Sequence, residues 1–257
     1  MTEVLGLFCG GPALYRGGVP KPLQPVGGLT LLEQFLAHGR FRQPDAIVLL
    51  CDESHRKDFE AIAGSTGEVP VTVLPAPDGS STFTRLRKFL AEPATMQASL
   101  VHLTYPDVFY SGDLDVPAQV RETPRVALTV TSLRSRFPRL ITDPYTNRVR
   151  SISNHSGYVP ANPMHVFGGN VIAQPGVLRT FVETYLTTMD VPAPSLEYEF
   201  FGWLINKGVV DAIPLYGEWN QIDSHRDIAQ LEAAIIAASS HPSHDRQGPS
   251  GEHDLDS

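Results

Sequence analysis

Two cations, Arg16 and Lys21, stand in or beside a glycine-rich loop near the amino terminus, Gly10-Gly11-Pro12-Ala13-Leu14-Tyr15-Arg16-Gly17-Gly18-Val19-Pro20-Lys21. An apolar run, residues 4–9, leads into it, and an amphipathic stretch, residues 29–36, follows. Glycine has no Cβ to block an approaching anion, so backbone N–H groups of such a loop can turn towards a phosphate. The residues themselves define an anion-binding loop. Across 257 residues the net charge is −8, which argues against a nucleic-acid surface with its basic stripe. A polyanionic ligand would have to be met by these few local cations. No Ser-His-Asp or Cys-His arrangement is visible. His102 and His165 fall within strands and read as core or rim residues. Cys9 and Cys51 lie in apolar runs and read as buried, reduced thiols.

The wording of the stretch says more than its physics. Gly10-Gly11, then Pro20-Lys21-Pro22-Leu23, Pro25-Val26-Gly27 and Leu31-Leu32-Glu33, resembles the signature of the sugar-phosphate nucleotidyltransferase superfamily. In that signature a Gly-Gly-x-Gly-x-Arg loop precedes Pro-Lys-Pro-Leu; here Ala13 stands where the third glycine is expected, and Arg16 falls one place late. The resemblance implies a Mg2+-dependent reaction of a nucleoside triphosphate with a phosphorylated small molecule, a sugar 1-phosphate above all. Lys21 and Arg16 would then be the catalytic cations, with Gly10, Gly11 and Ala13 completing the phosphate cradle. Mg2+ takes one or two carboxylates and completes its shell with phosphate and water. Asp107, in Thr104-Tyr-Pro-Asp107, resembles the family's metal-binding aspartate, with Pro106 in place of glycine. Asp223, in Trp219-Asn-Gln-Ile-Asp223-Ser-His-Arg-Asp227, resembles the second. A plain turn is the other reading of each. Asp227 reads as the far end of a capping box begun by Ser224.

These residues need elements to hold them. Apolar runs at 46–51, 69–74 and 98–103 read as strands of a parallel sheet, alternating with helices at 54–63 and 82–90. In the second helix Phe83, Leu86, Phe89 and Leu90 form the apolar face, with Arg85, Arg87 and Lys88 opposite. This rhythm predicts an α/β three-layer sandwich with a mostly parallel sheet. The resemblance implies that this sheet is Rossmann-like, of nucleotidyltransferase type, with a small acceptor-side β region. Between the third strand and its helix, Gly79 and Ser80 occupy a ligand-contact position, which the resemblance implies helps bind the base; the alternative is a helix cap from Ser81 or Thr82. Beyond a strand at 125–131, the residues 143–147 mark a hairpin or turn. The strand at 164–173 holds Gly168, Gly169 and Asn170, which the resemblance places beneath the acceptor and which a fold-only reading makes a bulge. The resemblance implies that Glu197 or Glu199, opening a helix at 197–206, binds an acceptor hydroxyl; the other reading is that both simply suit the helix dipole.

The expected organisation is one nucleotidyltransferase domain over residues 1–238, with the nucleotide part at about 1–120 and the acceptor part at about 121–238. From Ser239 the chain is too polar to order itself, so 239–257 reads as a disordered tail. With no basic leader and no run of eighteen apolar residues, the expected location is the cytoplasm. Expected partners are a nucleoside triphosphate and a phosphorylated small molecule, with no nucleic acid and no membrane, and with a homodimer left open. Two other functions stay open: a cytidylyltransferase acting on phosphocholine or a phosphonate, and a non-catalytic nucleotide-binding regulatory protein of the same fold.

Overall fold

The computed structural model describes residues 2–10, 19–38, 44–67, 69–110, 114, 116, 118–131, 139–143, 145–153, 165–189, 191, 194–215 and 219–240. Strand and helix alternate through the first half: β1 (Glu3–Phe8), α1 (Leu31–His38), β2 (Ala46–Asp52), α2 (Arg56–Ser65), β3 (Val71–Ala76), α3 (Thr82–Ala91) and β4 (Leu100–Thr104). Then come β5 (Val108–Tyr110), β6 (Val126–Thr131) and the β7 (Arg139–Thr142) and β8 (Val149–Ser153) hairpin. The chain continues with β9 (His165–Ala173), α4 (Pro175–Thr188), α5 (Phe201–Asn206), β10 (Val210–Pro214), β11 (Trp219–Gln221) and α6 (His225–Ser240).

The main sheet runs β3-β2-β1-β4-β9-β6-β10. Its neighbours are parallel except at β9, which is antiparallel to both β4 and β6. The β7–β8 hairpin joins the first residues of β9, at His165 and Val166, and forms the expected small β region. Side chains along β1 alternate between two cores, as a strand buried on both faces must. Val4 and Phe8 join the core under α3, α4 and α5, with Phe89, Leu178 and Leu204. Leu5, Leu7 and Cys9 face Phe35 of α1 and Phe59 and Ile62 of α2. The result is a three-layer α/β sandwich whose sheet is mostly parallel.

Several boundaries move by a turn or less, each for a local reason. β3 begins at Val71 rather than residue 69, because Pro70 has no N–H for the ladder and offers only its carbonyl, to Ile47 N at 2.9 Å. A 3-10 turn, Glu53–His55, precedes α2, and a π-helical turn, Leu196–Phe200, precedes α5. β4 spans Leu100–Thr104 rather than 98–103. The turn at 143–147 is built as expected: Asp143 Oδ1 accepts from the N–H of Tyr145 and Thr146, and Asn147 adopts φ 54°. At the carboxyl end, α6 seats Ile228, Leu231 and Ile235 against Val26, Leu31 and Ile222. It runs through Ser240, so residues 239–240 are helical rather than part of a tail; 241–257 lie outside the described residues. Among those described, no helix is long and apolar enough to cross a membrane.

At the amino end of β1 a buried polar cluster anchors the strand that leads to the glycine loop. Glu3 accepts from Arg121 Nη1 at 2.9 Å and lies 3.3 Å from His102 Nε2. The interaction with His102, opposed by burial and assisted by Arg121, holds its carboxyl at about 2 against an ordinary 4.5. A folded-state value below the unfolded one means stabilisation that is complete above pH 4.5 and lost as pH falls towards 2. Glu3→Gln should therefore cost about 1–3 kcal/mol at pH 7. It should also flatten the acid limb of denaturant-derived stability over that window; an unaltered limb would remove Glu3 from the account.

Candidate active site

Two carboxylates more than a hundred positions apart are brought together by a short ladder beside the main sheet. β5 pairs antiparallel with β11, Val108 opposite Gln221 and Tyr110 opposite Trp219. Asp107 enters the first of these strands and Asp223 leaves the second, so antiparallel pairing sets the two acids at the same end. Ile222 N donates to Asp107 O at 2.9 Å and extends the pairing by one step. Asp223 is fixed from behind by the capping box: its N–H donates to Asp227 Oδ2 at 2.9 Å, and Ser224 N donates to the same oxygen at 2.7 Å. That makes Asp227 a structural residue, as its spacing indicated.

Lys21 arrives from the other side. Pro20 and Pro22 bracket it at the start of a 3-10 turn, Lys21–Leu23, in which Leu23 N donates to Pro20 O at 2.9 Å. Lys21 Nζ donates to Asp107 Oδ2 and, at 2.6 Å, to Asp223 Oδ1. Burial works against the ammonium, but the attraction and hydrogen bonds of the two carboxylates outweigh it and raise the Lys21 pKa. Burial pushes the Asp107 carboxyl up, with Lys21 pulling the other way. Its second oxygen, Oδ1, is buried and has no hydrogen-bond partner among the described residues.

These three side chains line a cavity of about 270 Å3 with Phe8, Cys9, Gly10, Thr82, Tyr105 and Gln221, among others. It opens at the carboxyl ends of β1 and β4, where parallel sheets bind ligands. Burial pushes the Cys9 thiol up and the Cys51 thiol to about 12, so neither is a nucleophile at neutral pH. Among the described residues no group of three or more His, Cys, Asp or Glu could hold a metal. The cavity offers two carboxylates and an ammonium.

Gly10 lines the cavity, while Gly11, Ala13 and Arg16 lie outside the described residues. Gly79, at φ +74°, and Ser80 form the turn before α3, and neither is among the lining residues. Ser81 is the cap, its Oγ accepting from Thr84 N at 3.1 Å, and Thr82 is the residue that reaches the cavity. Gly168, Gly169 and Asn170 form a buried bulge in β9. That bulge carries the acid-bearing ladder: Trp219 Nε1 donates to Gly168 O at 3.0 Å, and Val108 packs against Gly169. Glu199 turns back to accept from Ser195 N at 2.6 Å, whereas Glu197 accepts from the half-buried Tyr105 hydroxyl and meets the cavity wall through it.

Arg85 corrects the sequence reading outright. Expected on the polar face of α3, it is 1% exposed. Its Nη1 donates to Cys51 O at 2.6 Å, and Nη2 to Asp52 Oδ1 at 2.5 Å. The helix periodicity alone could not show this, because the acceptors come from the end of β2.

No protein-family model matches the chain, and curated proteins give no significant sequence match. Solved structures do match. The inositol-1-phosphate CTP transferase from T. maritima superposes with TM-score 0.67 at 16% identity, over 91% of this chain and 96% of that one. HddC from Yersinia pseudotuberculosis gives 0.69 at 17%, over 91% and 100%. A Bacillus anthracis protein described as a glucose-1-phosphate thymidylyltransferase gives 0.68 at 15%, over 91% and 94%. The chain has the fold of sugar-phosphate nucleotidyltransferases, as residues 10–33 suggested.

Gly169 tests the floor of the site. Its φ is +89°, and a Cβ there would lie 2.9 Å from Val108 Cγ2. Gly169→Ala should lower stability by about 1–3 kcal/mol in denaturant unfolding, because a left-handed backbone and a packed neighbour both resist it. An unchanged midpoint would contradict the close approach of β9 and β5.

Proposed function

We propose that the chain is a Mg2+-dependent nucleotidyltransferase that joins a nucleoside triphosphate to a sugar 1-phosphate and releases pyrophosphate. The observation that carries this reading is the convergence of Lys21, Asp107 and Asp223 on one cavity at the carboxyl ends of β1 and β4. The structural neighbours support it. One is described as a CTP transferase and one as a thymidylyltransferase, each acting on a phosphorylated polyol or sugar, and HddC is described in complex with GMP-PN.

The donor set suits a hard cation. Both ligands are oxygen, one carboxylate oxygen of Asp107 is buried without a partner, and two acids leave the remaining coordination places to phosphate and water. Asp107 and Asp223 would hold the ion, which when bound supplies charge neutralisation on the triphosphate. The reaction needs an acceptor phosphate oxygen to attack the α-phosphorus while the α–β bridging bond breaks and pyrophosphate leaves. Lys21 contributes a fixed positive charge where negative charge grows on the α-phosphate and the leaving group, an electrostatic rather than covalent role. Gly10 brings backbone to the cavity. Thr82 and Tyr105 line the walls and limit the room for water.

The test is pyrophosphate release with Mg2+ across a grid of nucleoside triphosphates and sugar 1-phosphates. Turnover is expected for at least one pair. Asp223→Asn should abolish it while the protein stays folded by circular dichroism. Lys21→Ala should lower kcat by about 10²–10³-fold; a change confined to acceptor KM would contradict the role given to it. Nucleotide binding without release across the whole grid would favour the regulatory reading.

A further inference from the structure

The buried Arg85–Asp52 pair lies outside the constellation just described and plays no part in it. A guanidinium and a carboxylate taken out of water lose hydration that their mutual attraction only partly restores, and an apolar pair of similar size is often as stable. Here the pairing is also incomplete, since Arg85 Nε has no hydrogen-bond partner among the described residues. Stability of the fold is therefore a poor explanation for a buried arginine at the edge of the apolar face of α3.

Its position is the informative feature. Cys51 and Asp52 end β2, and Cys9 N donates to Leu50 O at 2.9 Å, so β1 and β2 stay paired up to the point where the glycine loop departs. The guanidinium lies against Gly10. A Cβ at position 10 would sit 2.5 Å from Nη1, 2.6 Å from Cζ and 2.8 Å from Nη2 of Arg85. The φ of Gly10 lies outside the left-handed region, so its backbone would accept alanine. The space taken by Arg85 is what demands glycine there.

Resting on the nucleotide-binding reading above, we propose that Arg85 is a positioning residue for the nucleotide. Bonded to Cys51 and Asp52 and packed flat against Gly10, it fixes the backbone of Gly10 where that backbone lines the cavity just beyond β1. It does not itself reach the cavity, so it acts through the backbone of Gly10.

The test is a coupling measurement on nucleotide affinity. Binding of ATP, CTP, GTP, UTP and dTTP, each with Mg2+, is measured by calorimetry, and the tightest is carried forward. Gly10→Ala, the exchange Arg85→Met with Asp52→Asn, and the three changes combined are then compared, with the thermal midpoint of each. Gly10→Ala and the pair exchange should each weaken binding roughly ten-fold. The combined variant should bind no more weakly than the pair exchange, since methionine can yield the room that a Cβ needs. The midpoint of the pair exchange should stay close to wild type, so that the lost affinity is not a loss of fold. Wild-type affinity in both variants, or losses that simply multiply in the combination, would overturn the proposal. Should the pair exchange not fold, Gly10→Ala decides alone: it keeps both charges, and wild-type affinity in it overturns the proposal. If the wild-type protein binds none of the five nucleotides, the nucleotide reading itself fails and takes this proposal with it.

Discussion

One ammonium between two carboxylates organises this protein. At an effective dielectric near 20, opposite charges 4 Å apart attract by about 4 kcal/mol, and two close carboxylates without a counter-charge would repel on the same scale. Lys21 removes that repulsion in a setting where burial already opposes ionisation of Asp107. The arrangement is useful because it is incomplete. One oxygen of Asp107 remains buried and unpartnered, and Asp223 is partly open to solvent. A site meant only to hold the chain together would have closed both.

Most of the architecture near the cavity can be traced to keeping those three groups aligned. The acids sit on the β5–β11 ladder, which is too short to stand alone. It rests on the β9 bulge, where a left-handed glycine lets Val108 approach and a carbonyl accepts from Trp219. Helix α6 closes the arrangement from the far end. Its capping box fixes the backbone of Asp223, and Glu232 Oε1 accepts from Gly27 N at 3.0 Å, tying the helix to the turn that follows Lys21. The glycines and asparagine of β9 thus support the acids, a contribution separate from any contact with an acceptor.

What the chain disclosed in advance divides along a physical line. Runs such as residues 46–51 are continuously apolar because both faces of a parallel strand are covered, so the sheet was legible. Lys21, Asp107 and Asp223 were legible through the wording around them, and the capping box through its spacing. Arg85 was hidden. A charged residue on an amphipathic helix reads as solvent-facing until Asp52 and the Cys51 carbonyl, from another element, are known to meet it. Thr82, Tyr105 and Gln221 join the cavity only because tertiary closure brings five segments to one place. Glu197 and Glu199 looked equivalent in the sequence. The π-helical turn separates them, giving one to Ser195 and the other to Tyr105.

The likeness to known structures, at 15–17% identity, speaks for the fold, and the proposed chemistry rests on the three charged side chains. The most direct measurement is a Mn2+ titration followed by electron paramagnetic resonance, with nucleoside triphosphate present, comparing wild type with the Asp107→Asn and Asp223→Asn double variant. The account predicts a protein-bound Mn2+ population in the wild type that the double variant loses while remaining folded. Equal Mn2+ binding in the two proteins would contradict it.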